Sequence, residues 1–192
     1  MSDAPALPPS SMPTAGLGRA IRALRVERGV SLSQLALAAA LDKGYLSRVE
    51  RGLKIPSVAV VLRISSALDV SAAQLFGAAE NHDLVFVTRA GDRSGLTAED
   101  ADYHMELLTR GSNGTGLEAF LMFPPLEFIE DHKVEHRGEE LLYVVRGAVE
   151  VRFPETVLTL ATGDSVQFPG PLSHQVRRLD PEACVLVVVS GS

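Results

Sequence analysis

Residues 33–56 read SQLALAAALDKGYLSRVERGLKIP. Apolar residues recur at helical spacing on both sides of a short break at LDKG. Leu35, Leu46 and Val49 can share one core, and Ala36, Ala38, Ala39 and Ala40 are small where two helices would cross closely. Asp42 suits the cap of the second helix, KGYLSRVE, because its carboxylate can accept from a free amide of the first turn. Gly52 closes that helix. The segment predicts two short helices meeting at a tight turn, the second polar at its start.

Outward from this pair the helical period continues. Leu17, Ile21, Leu24 and Val26, interleaved with Arg19, Arg22, Arg25 and Arg28, predict an amphipathic helix with a basic face, ended by Gly29. Ser31 caps SLSQLALAAA, Pro56 opens SVAVVLRISSAL at its first turn, and Ser71 precedes SAAQLF. Five short helices make a compact bundle. After Gly77 the pattern changes to strands: LVFVT (84–88), HMELLT (104–109), LEAFLMF (117–123), ELLYVV (140–145), VEVRF (149–153), TVLTL (156–160), SVQFP (165–169), HQVRR (174–178) and CVLVVV (184–189). Turns rich in Gly, Asn, Asp and Pro separate them, as in an antiparallel sandwich or barrel. The expected class is α+β multidomain: a disordered tail over 1–13, a bundle over 14–77, a linker over 78–83 and an all-β domain over 84–192.

The chain has 192 residues, 46% of them hydrophobic, and a net charge of −6. That charge is divided unevenly. Residues 1–77 hold nine Lys/Arg against five Asp/Glu, whereas residues 78–192 hold nine against nineteen. A basic module joined to an acidic one points to a nucleic-acid partner for the first half. No apolar run approaches the roughly 20 residues of a bilayer span. The start, MSDAPALPPSSMPT, lacks the features of a secretion signal. The lone Cys184 lies in a strand-like run and is read as a buried thiol, consistent with a reducing cytoplasm. The expectation is a cytoplasmic protein with no membrane partner.

The YLSRVERG stretch, followed by IPSV, resembles the Cro/CI-type (Xre) helix-turn-helix family over about residues 17–76. The resemblance implies a lambda-repressor-like bundle whose recognition helix begins near Lys43. It places Lys43, Gly44, Tyr45 and Arg48 facing bases, Ser31 and Ser47 near phosphates, and Arg51 and Lys54 on the backbone of double-stranded DNA. Arg48 could grip guanine O6/N7 with its planar fork. Readers of this type bind paired half-sites, which implies a homodimer. Gly44 departs from the pattern by offering no side chain. Glu50 faces a polyanion badly and is read as the partner of a nearby arginine.

In the second half, residues 136–147 read HRGEELLYVVRG. On a straight strand His136 and Glu140 would lie about 13 Å apart at ~3.3 Å per residue, too far to share a metal at bonds of about 2.0–2.2 Å. Gly138 makes the required bend cheap. GDSVQFPGPLSH brings His174 to the start of another strand. Two histidines and a carboxylate form the facial set of non-haem Fe(II), or of Mn, Ni or Zn. The same three residues could instead line a polar pocket or hydrogen-bond within a barrel.

These stretches resemble the cupins over about residues 103–190: Glu140 precedes Gly147 by seven positions, His136 precedes Glu140 by four, and Gly163, Pro169 and His174 follow the second motif. The resemblance implies a jelly-roll barrel and one divalent metal ion on His136, Glu140 and His174. Val134 stands where metal-binding cupins usually have a further histidine, with Pro171 and Arg178 as other departures and His132 as a substitute ligand to consider. His82 and His104 are read as linker and surface residues. Phe120, Met122, Phe128, Tyr143 and Phe168 are candidate apolar walls, and Tyr103, Arg110 and Arg146 candidate polar anchors.

Jointly, the chain resembles helix-turn-helix regulators with a C-terminal cupin sensor domain. That implies a small-molecule effector in the barrel that alters operator affinity, with no catalytic residues. The competing class is a mononuclear non-haem iron enzyme similar to hydroxypropylphosphonate epoxidase, using His136, Glu140 and His174. That resemblance wants a lysine near residues 27–31, where Arg28 is the nearest cation. The regulator is the favoured expectation.

Overall fold

The computed structural model describes residues 14–77, 85–98, 103–109, 116–129 and 138–190. Helix α1 spans Thr14–Glu27, α2 Leu32–Ala38, α3 Lys43–Glu50, α4 Val58–Leu68 and α5 Ala72–Leu75. Four of the five begin at a polar cap. Ser31 and Ser71 each form a reciprocal capping box, with Gln34 and Gln74, while Asp42 accepts from the Tyr45 amide at 2.8 Å. At α4 the cap is Ser57, so Pro56 lies just before the helix rather than inside its first turn.

Leu17, Ile21, Leu35, Leu46, Val49, Ile64 and Leu68 are buried as the core of the bundle. Val26 is not among them and stays 61% exposed. At about 100° per residue it sits some 200° round the helix from Leu24, on the opposite face. Gly18 lets α1 approach the end of α3: a Cβ there would overlap the carbonyl oxygens of Val49 and Glu50. The same helices are tied by a bidentate pair, Arg25 Nε and Nη2 to the two carboxylate oxygens of Glu50 at 2.6 and 2.9 Å. The reading of Glu50 as an arginine partner is borne out.

The strands are β1 Gly95–Ala98, β2 Tyr103–Leu107, β3 Leu117–Phe123, β4 Glu139–Arg146, β5 Ala148–Arg152, β6 Val157–Ala161, β7 Ser165–Pro169, β8 Gln175–Arg178 and β9 Cys184–Ser190. They form a six-stranded sheet in the order β1-β2-β3-β9-β4-β7 and a three-stranded sheet β6-β5-β8, with every pairing antiparallel. The sheets face each other across Leu142, Val144, Val149, Val151, Phe168, Val185 and Val187. Among the described residues they hydrogen-bond as two separate sheets, the sandwich of the two forms expected, with no closed barrel.

Two strand readings are corrected. Residues 85–89 form no ladder, and Val85 and Val87 remain 81% and 60% exposed. Their β-branched composition suits a strand, but such propensity expresses itself only against a partner. Conversely, GLTA at β1 has little apolar signal. It becomes a strand by pairing with β2, Leu96 opposite Met105.

The large sheet outgrows the small one, and its β1–β2 end meets the helices. Leu96, Tyr103 and Met105 join Val58, Leu75 and Phe76 in one contiguous core. Glu118 on β3 accepts from the Ala72 amide at the start of α5 at 3.1 Å. The bundle and the sandwich are therefore packed together.

Candidate nucleic-acid interface and barrel site

The turn between α2 and α3 is shaped by Ala40, whose φ of 52° is left-handed, and by Arg63, whose guanidinium donates to the Ala40 carbonyl at 3.4 Å. Ala36 and Ala39 are buried in the crossing, whereas Ala38 and Ala40 face outward. Helix α3 then presents Lys43, Gly44 and Arg48 as exposed residues, followed by Arg51 just past its end. At eight residues and 1.5 Å each, α3 is about 12 Å long, short enough to lie in a major groove about 12 Å wide. A Cβ on Gly44 would sit 3.7 Å from Arg48 Nη1 and 3.0 Å from the capping Asp42 oxygen. The missing side chain thus leaves room for the Arg48 guanidinium over the first turn. Arg51 folds back, its Nε donating to the Ser47 carbonyl at 3.2 Å. Ser31 is exposed at the start of α2, and Ser47 and Lys54 are partly exposed.

Tyr45 differs from its neighbours. It packs against the core of the bundle, and burial pushes its hydroxyl well above the ordinary range, opposed by the Arg63 and Arg48 charges. Its ring anchors α3 from the inner side.

In the sandwich, Glu140 points inward from β4 and His174 immediately precedes β8. Their side chains are 4% and 5% exposed, with His174 Nε2 3.3 Å from Glu140 Oε1. Gly138, at φ 83°, and the bond from the Gly170 amide to the Gly138 carbonyl at 2.7 Å hold the two approaches together. His174 Nδ1 lies 3.0 Å from the Leu172 carbonyl. A carbonyl can only accept, so Nδ1 carries the proton there, and in the neutral ring the Nε2 lone pair faces Glu140. Phe168 stacks edge-on to the imidazole at 4.5 Å, with Phe153 beyond it at 6.3 Å.

This geometry fits a cation. Two ligands at about 2.1 Å from one metal lie about 3.0 Å apart at a right angle and about 3.4 Å apart at a tetrahedral angle. The backbone bond at Nδ1 is also the kind that orients a ligating histidine. The structure thus brings together two of the three expected ligands. The third, His136, lies outside the described residues, as do His132, Val134, His82 and Arg110. Among the described residues no group of three metal-ligating side chains occurs.

Other expected wall and anchor residues are placed variously. Phe120, Met122 and Phe168 are buried. Tyr143 alternates to the outer face and is 40% exposed. Phe128 lies under the guanidinium of Arg152 at 3.8 Å and near that of Arg177 at 5.0 Å. Arg146 is exposed beside Glu182. His104, expected to lack partners, binds Thr97 Oγ1 at 2.8 Å and Glu106 Oε1 at 3.2 Å, with Arg93 on the other carboxylate oxygen at 3.0 Å. That cluster required the β1–β2 pairing, which carried no sequence signal.

Tyr103 joins the two halves. It is buried at the contact between sheet and helices, its hydroxyl 3.4 Å from Met105 Sδ. Burial raises its hydroxyl far above the ordinary range. A hydrogen bond from the Val58 amide opposes that rise, and Tyr45 and Glu140 add to it. Tyr103 of the sheet thus meets the start of α4 through Val58.

Residues 21–75 match the family model of a helix-turn-helix domain, and residues 119–190 match that of a cupin domain. The chain joins an Xre-type helix-turn-helix domain to a cupin domain. Among curated proteins, the HTH-type transcriptional regulator SlrR of Bacillus subtilis is 41% identical over 63 residues, covering 32% of this chain and 41% of its own. The HTH-type transcriptional regulator SinR of Bacillus subtilis is 45% identical over 56 residues, covering 29% of this chain and 50% of its own. The chain thus spans half or less of the length of these relatives. A solved HTH_3 family transcriptional regulator from Vibrio cholerae is 22% identical with a TM-score of 0.64, covering 94% of this chain and 98% of its own. The likeness of fold therefore extends over both halves of the chain.

Proposed function

We propose that the chain is a sequence-specific DNA-binding transcriptional regulator whose cupin domain takes up a small molecule and so modulates operator affinity. The observation that carries this reading is the packing of sheet against bundle, where buried Tyr103 of β2 shares one core with Val58, Leu75 and Phe76 of the helical half. A ligand that shifts β2 or β4 alters what α3 and α4 rest on. Such coupling requires that the ligand bind two arrangements of the chain with different affinity.

On the DNA side, Lys43 and Arg48 are exposed on α3, ready for base edges in the major groove. Ser31, Ser47, Arg51 and Lys54 are the phosphate-side contacts, and Gly44 permits close approach to the duplex. Tyr45 acts from beneath as the anchor of the helix, so its part in binding is indirect. The expected target is double-stranded DNA with paired half-sites, read by a homodimer. Support also comes from the curated relatives, which match the helix-turn-helix half and are themselves transcriptional regulators. The functional division runs at residues 14–77 for DNA and 84–192 for sensing.

In the cupin domain, Glu140 and His174, with His136, would hold a divalent ion of the Fe, Mn, Ni or Zn class, which would supply a Lewis-acidic anchor for an oxygen-bearing ligand. Phe153 and Phe168 keep water from one side of the pair. The experiment is selection of bound duplexes from a random pool with intact protein, repeated with added metal and with small-molecule extracts. An enriched sequence whose recovery changes with an additive is the expected result. A pool that stays random under every condition refutes the reading.

A further inference from the structure

The sandwich finishes two helices of the bundle. A helix begins with several amides that have no partner inside it. In α4 the Ser57 hydroxyl takes the Val60 amide, and in α5 the Ser71 hydroxyl takes the Gln74 amide, so each cap serves the third residue of its helix. The first amides, of Val58 and Ala72, are left over. Both go to side chains of the large sheet: Val58 to the Tyr103 hydroxyl of β2, and Ala72 to Glu118 Oε1 of β3 at 3.1 Å.

The two ties differ in kind. Tyr103 is buried in the shared core, and burial keeps its phenol neutral. Glu118 can ionise. One of its oxygens meets the Ala72 amide, while Oε2 is out of contact with solvent and has no hydrogen-bond partner among the described residues. A dry oxygen without a partner is costly in a carboxylate and far less so in a neutral carboxyl. No neighbouring cation compensates among the described residues. Helix α5 offers Ala72, Ala73, Gln74 and Leu75, the residue opposite on β9 is Val189, and Thr109 lies beside β3. The nearest acids are Asp69, exposed before Ser71, and Glu140, beyond Val189 at two strand spacings of about 4.8 Å each. Burial accordingly raises the carboxyl above its ordinary range, the Ala72 hydrogen bond opposes the rise, and no charged side chain takes part.

We infer that the joint between the two halves has a fixed point at Tyr103 and a proton-operated latch at Glu118, which opens as the carboxyl releases its proton to water. Helix α5 is suited to such opening. It is a single turn of four residues, too short to stand without its contacts, and Leu75 and Phe76 belong to the core shared with β1 and β2. Glu118 binds its proton more tightly in the closed joint than in the open one. The stabilisation of the closed joint is therefore full below the ordinary carboxylate range and is lost as pH rises through the raised value. Because one proton is released, each unit of pH within that window multiplies the open population by up to about tenfold. A consequence at the operator rests on the regulatory reading; the latch itself does not.

The test is hydrogen–deuterium exchange of the full-length chain without DNA, from about pH 4 to about pH 8, corrected for the intrinsic chemical rate so that protection reports the open population. Peptides covering α5 should lose protection by up to about tenfold per pH unit and then level off, while those covering β5 and β6 should hold theirs. Glu118→Gln cannot ionise and should keep α5 protected without a slope. Glu118→Ala removes the tie and should leave α5 poorly protected, equally at every pH. Tyr103→Phe should lower protection at the start of α4 while the slope at α5 remains. A wild type whose α5 protection is flat with pH would overturn the inference, as would a slope that survives both Glu118 replacements. Duplex selection and this measurement share no component, so the two readings fall separately.

Discussion

Replacing Glu50 by glutamine tests how helix α3 is held. The Arg25–Glu50 pair is largely dehydrated, with side chains 12% and 7% exposed, and both carboxylate oxygens are engaged. Arg25 also donates to the Val30 carbonyl at 3.0 Å, so it cannot swing into water without losing a third bond. Its guanidinium is held even more firmly protonated than usual by the hydrogen bonds it donates to Glu50, against the cost of burial. Removing one partner of a buried pair strands the other charge, which costs about 3–5 kcal/mol. Arg25 retains some solvent contact, so the lower figure, about 3 kcal/mol, applies here. For a chain of this length that corresponds to a fall in Tm of about 6–12 °C, at about 2–4 °C per kcal/mol. The assay is urea denaturation followed by circular dichroism, with the midpoint shifting and the slope unchanged. The double replacement Arg25→Met with Glu50→Leu removes both charges and should recover most of the loss. The reasoning is refuted if Glu50→Gln changes stability by less than about 0.5 kcal/mol, or if the double variant is less stable than the single one.

Three further outcomes are expected. Burial raises the Glu118 carboxyl, with the Ala72 amide opposing, so the folded state binds its proton more tightly than the unfolded state. Its contribution is therefore full at acid pH and lost as pH rises past the usual carboxylate range, and the advantage in Tm of Glu118→Gln over wild type should grow from pH 4 to pH 7. Gly18→Ala should destabilise by about 1–2 kcal/mol in the same denaturation assay, since overpacking against two carbonyls costs about 1–3 kcal/mol and better helix propensity returns at most about 1 kcal/mol. In fluorescence anisotropy with selected and scrambled duplexes, Arg48→Ala should lower discrimination by about 1–3 kcal/mol, whereas Lys54→Ala should weaken both duplexes alike and flatten the salt dependence.

The bundle was legible because each of its signals is local. Ser31, Asp42 and Ser71 act within three residues of themselves, and the spacing of Leu35, Leu46 and Val49 reports one crossing. Eight of the nine strand runs were legible from composition as well, HMELLT being two residues too long at its end. The failures share a cause, which is dependence on distant partners. Residues 85–89 look like a strand without having one, whereas β1 looks like nothing and is made by β2. His104 reads as a plain surface residue because Thr97 reaches it only through that pairing. At the second site the pairing of Glu140 with His174 is what the resemblance to the cupin motifs implied. Which face Tyr143 takes did not, because a strand apolar on both sides carries no register. The role of Tyr103 was hidden for a related reason: its neighbours come from both halves of the chain, and no local pattern records their meeting.

The central claim is that α3 reads sequence while the surrounding cations hold the backbone. Its most direct test is the affinity of the intact chain for a selected duplex and for a scrambled one of equal length, measured across a salt series. The account predicts that both affinities fall with salt, as phosphate contacts require, and that the selected duplex stays tighter by about 10³-fold or more. Equal affinity for the two duplexes at every salt concentration would contradict it.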